Sequence, residues 1–211
     1  MSDLIIKPSG TGASLKIQNP SGTNKIVMNS SGTITTGTLG SGVTFPTGMV
    51  LRVFSSSITD RQTNGTNGST PIDLTGTDQN GSGSVFCVKI TPISNSSNIL
   101  CLASGVISIT DRYNRAFVNL VRDSTTLGVG DAATGHEVTT GYCPRGSDSG
   151  YYLSPFSINF LDSPSSTSEL TYKLQLLSSS TGMSAVIGGP GTVDSNGGNS
   201  STNLTVMEIA G

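Results

Sequence analysis

The residues best suited to chemistry lie in one Gly-rich stretch: the only histidine, His136, followed by Glu137, with Asp131 and Cys143 close by in sequence. A thiol nucleophile needs Cys and His held in contact by rigid elements, with positive charge lowering the thiol pKa. Nothing local supplies that, and His136 reads as a solvated loop residue. One His and three dispersed Cys lack ligand spacing such as Cys-x-x-Cys, so no metal site is expected. The carboxylates Asp73, Asp78, Asp111, Asp123, Asp131, Asp148, Asp162, Asp194, Glu137, Glu169 and Glu208 mostly adjoin turns, and no pair stands out as acid and base. Asp78-Gln79-Asn80-Gly81 and Asp194-Ser195-Asn196-Gly197 resemble calcium loops only in part, lacking alternate ligands that end in Glu, and read as turns. No Gly-rich segment ends in the Gly-Lys-Ser/Thr of a phosphate loop. We therefore expect no catalytic residue, no cofactor and no metal.

The elements that would position such residues are strands. From Met1 to about Phe45 a loose repeat recurs, Ser9-Gly10-Thr11, Ser21-Gly22-Thr23 and Ser31-Gly32-Thr33, then Ser41-Gly42. Between these turns lie Leu4 to Ile6, Leu15 to Ile17, Ile26 to Met28 and Ile34, a strand and turn alternation. Two or three apolar side chains per unit cannot close a core, so the units must stack on each other or on other copies. Leu15, Ile17, Ile26 and Met28 are the candidate contacts of a homotrimer.

Phe45-Pro46-Thr47-Gly48 marks a boundary, dividing residues 1–48, a β-repeat stalk, from residues 49–211. The second region holds eight candidate strands: Met49 to Phe54, Ser84 to Thr91, Asn98 to Thr110, Arg115 to Arg122, Tyr151 to Leu161, Leu170 to Leu177, Met183 to Ile187 and Asn203 to Ile209. No segment keeps a helical apolar period, so the fold class is all-β, and eight short strands suggest a two-sheet jelly-roll-type sandwich. Polar loops at Gln62 to Gly83, Gly130 to Gly150 and Gly189 to Thr202 either carry function or cover sheet edges. Ser84 to Thr91 and Asn98 to Gly105 are expected to form a hairpin about Pro92 to Ser97, setting Cys87 opposite Cys101 as two buried thiols.

Composition narrows the function. Only 11% of residues are charged, the net charge is −2, and Lys and Arg form no cluster, so nucleic acid is not an expected partner. No apolar run approaches the roughly 18 residues of a spanning helix, and Met1 to Gly10 has no basic flank before an apolar stretch, so neither membrane insertion nor export is expected. An odd number of cysteines, three, fits assembly in reducing cytoplasm with free thiols. Triplets such as Asn64-Gly65-Thr66, Asn67-Gly68-Ser69 and Asn203-Leu204-Thr205 follow from the abundance of Asn, Ser and Thr.

Several segments resemble virion proteins of tailed phages, especially fibre and fibre-like proteins of marine and cyanobacterial phages. They are LKIQNPSGTNKIVMNSSGTI at Leu15 to Ile34, ITPISNSSNIL at Ile90 to Leu100, RAFVNLVRDSTTLGVGDA at Arg115 to Ala132, SINFLDSPSSTSELTYKLQL at Ser157 to Leu176, and the ending NLTVMEIAG. The resemblance implies a trimeric jelly-roll-type domain on a short β-rich stalk, located on the virion surface as a tail fibre or head decoration. It implies other virion proteins as partners of the N-terminal segment and a host surface glycan or receptor as the outward one. No enzyme is implied. The competing readings are a carbohydrate-binding module, with Tyr113, Tyr142, Tyr151 and Tyr152 as candidate sugar platforms, and a fibre-borne depolymerase with carboxylates gathered from distant segments. Absence of Trp, with aromatics at 5%, weakens the first.

Overall fold

A computed structural model describes residues 15–18, 24–28, 34–37, 46–63, 70–111, 113–131, 139–143, 153–192 and 198–211. His136, Tyr151, Tyr152 and Asp194 lie outside the described residues. The chain divides into two compact units, Met1–Phe45 and Pro46–Gly211. In the first, strands β1 (Leu15–Gln18), β2 (Asn24–Met28) and β3 (Ile34–Gly37) form an antiparallel ladder in that order.

The second unit contains only strands, turns and irregular segments among its described residues. Its strands are β4 (Val50–Ile58), β5 (Gln62–Thr63), β6 (Ile72–Asp73), β7 (Cys87–Ile90), β8 (Asn98–Ile109), β9 (Ala116–Arg122), β10 (Thr125–Leu127), β11 (Gly141–Cys143), β12 (Ser154–Asp162), β13 (Leu170–Ser178), β14 (Ala185–Ile187) and β15 (Thr202–Ile209). They make two antiparallel sheets. In the first, β4, β15, β8 and β12 lie side by side, and β14 with β5 continues the β15 side of β8. In the second, β13 and β9 are central, with β6 and β7 sharing one flank and β10 and β11 the other.

Both sheets turn one face to a common core, so the unit is sandwich-like. From the first come Ile99, Cys101, Ile107, Ile158, Leu204 and Val206; from the second, Val88, Val118, Leu120, Tyr172, Leu174 and Leu176. The alternation Tyr172-Lys173-Leu174-Gln175-Leu176 fixes which face of β13 is inward, because a register slip of one residue would turn Lys173 and Gln175 into the core. β9 is buried on both faces, at Phe117, Asn119 and Val121 as well as Val118 and Leu120. The β8 partner changes from β15 to β14 beside Gly105, where a Cβ would come within 2.8 Å of Thr202 Oγ1 and 2.9 Å of the Phe156 ring.

The expected hairpin is absent. β7 belongs to the second sheet, paired with β13, and β8 to the first, so residues 91–97 cross between sheets instead of reversing within one. Cys87 faces away from the core on one sheet, whereas Cys101 lies in the core on the other. Both are free and buried.

Candidate functional site

The ion pairs among the described residues gather at three places, each built from segments far apart in sequence. The first is a cleft of about 250 Å³ on the outer face of the second sheet, lined by Asp73, Lys89, Lys173, Cys87, Thr171 and the turn 82–85. Lys173 and Gln175 stand two apart on β13, so both point outward, and both donate to Asp73, at 2.7 and 2.8 Å. Lys89 Nζ lies 3.9 Å from Asp78. The Asp78 carboxylate also accepts from the backbone N–H groups of Ser82 and Asn80, which hold its pKa below the ordinary carboxylate value. The Asp78-Gln79-Asn80-Gly81 segment is thus a turn closed on its own aspartate. Gln79 beside it clasps the Lys89 backbone through both amide atoms at 2.9 Å, extending the sheet edge by one side chain. Gln62 clasps Thr75 in the same way.

This cleft offers ammonium groups and hydroxyls to a polar ligand, but its lysines are already matched by aspartates. Burial, the largest influence, pushes the Cys87 thiol upward, leaving it protonated and a poor nucleophile at neutral pH.

The second place joins the sheets. Asp162, ending β12, accepts two bonds from Arg122 on β9, at 2.8 and 2.7 Å, and one from the buried Tyr172 hydroxyl on β13 at 2.7 Å. At the third, the fully buried Glu208 on β15 pairs with Arg52 on β4 and accepts from Ile93 N–H at 2.6 Å and Ser97 Oγ at 2.7 Å. Arg52 also donates to the Thr91 carbonyl, so the pair fastens both ends of the crossing 91–97. Nothing in the sequence pairs Asp162 or Glu208 with another charged group. The signal that could have singled them out is parity: Phe156, Ile158, Phe160 and Asp162 share one face of β12, as Leu204, Val206 and Glu208 share one face of β15.

Of the proposed contact residues, the ladder register sets Leu15 opposite Met28 and Ile17 opposite Ile26, which brings the four positions to one face. Tyr113 and Tyr142 are exposed, the former in the turn after β8 and the latter on β11. Among the described residues, no group of three or more His, Cys, Asp or Glu converges in a way that could hold a metal ion. Comparison with protein-family models and with curated proteins finds no match.

Two core groups make stability depend on alkaline pH. Burial, then the Asp162 charge, pushes the Cys101 thiol up to about 12, and burial with the hydrogen bond to Asp162 raises the Tyr172 phenol. A raised pKa leaves stability unaffected while folded and unfolded chains both keep the proton. Once the unfolded chain ionises, near pH 9 for a thiol and 10 for a phenol, stability falls by about 1.4 kcal/mol per pH unit for each group until the folded pKa is reached. Denaturant melts between pH 8 and 11 should show this decline, and Cys101→Ala should make it shallower from about pH 9 upward. An unchanged slope in that variant would contradict the assignment.

Proposed function

We propose that the chain is a non-enzymatic structural protein of a tailed-phage virion: a short trimeric fibre or spike, on the tail or as a head decoration, that faces outward and serves host attachment. The observation that carries this reading is strand order. Sheets ordered β4–β15–β8–β12 and β7–β13–β9–β10, between which the chain crosses repeatedly, support a reading as an eight-stranded jelly roll, with β5, β6, β11 and β14 as short additions. That architecture serves viral capsid and lectin domains alike. The sequence resemblance selects the virion among them.

The arrangement of charge supports a structural role. Asp73, Asp162 and Glu208 are each engaged by a cation and by further hydrogen-bond donors, which locks side chains in place. The N-terminal ladder supports the homotrimer reading: the positions Leu15, Ile17, Ile26 and Met28 share one face of a sheet whose three strands have four or five residues each. So small a sheet needs a partner to cover its apolar side. Sedimentation equilibrium of the full chain at micromolar concentration should give three times the monomer mass, and Ile17→Asp with Ile26→Asp should reduce it. A stable folded monomer would contradict the trimer.

A further inference from the structure

Among the described residues, the strands of the first sheet place no ionisable side chain on its outer face. Across β4, β8, β12 and β15 the ionisable residues are Arg52, Cys101, Asp162 and Glu208; all four are turned inward, and the three charged ones are ion-paired. Outward, the register aligns Val53, Met207, Leu100 and Leu161 in one row across four strands. The next row brings Val50 opposite Ile209. Val53 and Leu161, at the two ends of the first row, are each 54% exposed, and Val50 is 47% exposed. On the other side the face continues as Ser55, Thr205, Leu102 and Asn159, then as Ser57, Asn203, Ser104 and Ser157.

Such a face is poorly adapted to stand alone in water. Solvent-facing sheets and their edge strands are normally guarded by charge, above all Lys, or by Pro. β4, an edge strand of nine residues, has neither on its outward positions. The other sheet shows the usual arrangement, with Lys89, Lys173 and Asp73 outward.

We propose that the outer face of β4–β15–β8–β12 is a contact surface between copies of this chain. The inference deepens the oligomer reading above and rests on it, adding a second surface to the N-terminal ladder. Charge matching favours a second copy: a face without charge offers a charged partner nothing to pair with, whereas two such faces meet without repulsion or desolvated ions. Size also suits. Four strands about 4.8 Å apart and roughly eight residues long at about 3.3 Å per residue give a footprint of about 500 Å² per copy. Packed about a threefold axis, three copies would bury about 1,500 Å² in all, on the scale of specific association.

Sedimentation equilibrium of the full chain tests this with Val53→Lys combined with Leu161→Lys, the milder Leu161→Ser, and the control Thr125→Lys on the other sheet. Circular dichroism checks folding, and the half-exposed positions tolerate substitution. The double variant should raise the concentration of half-dissociation at least tenfold, Leu161→Ser should raise it several-fold, and the control should match wild type. If both face variants match wild type, the inference is overturned and the oligomer reading stands. A wild-type chain that is monomeric throughout overturns both.

Discussion

Replacing Glu208 with alanine should destabilise the second unit by about 3 kcal/mol, because it leaves buried donors without an acceptor and a partly exposed charge without its partner. The side chain is fully buried, and its removal would leave the Ile93 N–H and the Ser97 hydroxyl without their acceptor, and the partly exposed Arg52 guanidinium with only water and the Thr91 carbonyl. All three belong to the attachment of the 91–97 crossing, so the loss should be local as well as global. Hydrogen exchange at Ile93 should speed up more than exchange in β9, which lies in the other sheet. Glu208→Gln keeps an acceptor for the two neutral donors and should cost about half as much. Chemical denaturation of the three proteins gives the differences directly. Alanine and glutamine variants of equal, wild-type stability would show that the pair contributes nothing.

Asp162→Ala comes next, with an expected loss of about 3 kcal/mol and a fall in Tm of about 6–12 °C. The carboxylate takes two bonds from Arg122 and one from the fully buried Tyr172, and so fastens the end of β12 in one sheet to β9 and β13 in the other. Arg122 retains some access to water, which makes its loss of a partner less severe than that of the buried phenol. Tyr172→Phe deletes one hydrogen bond and should cost about 1 kcal/mol. In the background of Asp162→Ala it should cost nothing further or stabilise, since the phenol is already without that acceptor. Full additivity of the two substitutions would break the account of the cluster as one unit.

The strands were legible wherever alternation ran for several residues. Tyr172 to Leu176 and Asn203 to Ile209 carry their burial pattern in plain view, and the observed bounds of β8, β9, β13 and β15 lie within a residue or so of those expected. Strand β4 runs four residues past its expected end because Ser55, Ser56 and Ser57 are held in the ladder by pairing with β15. The return strand β10 was missed as well. Its turn at Asp123, in the left-handed region at φ 52°, joins Arg122 to Thr125 with two intervening residues.

Pairing partners were not legible. Residues 91–97, rich in Pro, Ser and Asn, have the composition of a hairpin turn, and a crossover between sheets has the same composition. What separates the two is Glu208, more than a hundred positions away, whose carboxylate holds Ile93 and Ser97. The same limit hid the cleft at Asp73, Lys89 and Lys173. Its members lie on three strands that come together only through β13.

The proposal of a virion surface protein is tested most directly on purified phage particles. In density-gradient fractions, mass spectrometry should find the chain at a copy number per particle divisible by three, and antibody against residues 49–211 should label the particle exterior in electron micrographs. Particles of full infectivity that lack the chain, or that contain it only where antibody cannot reach, would contradict the account.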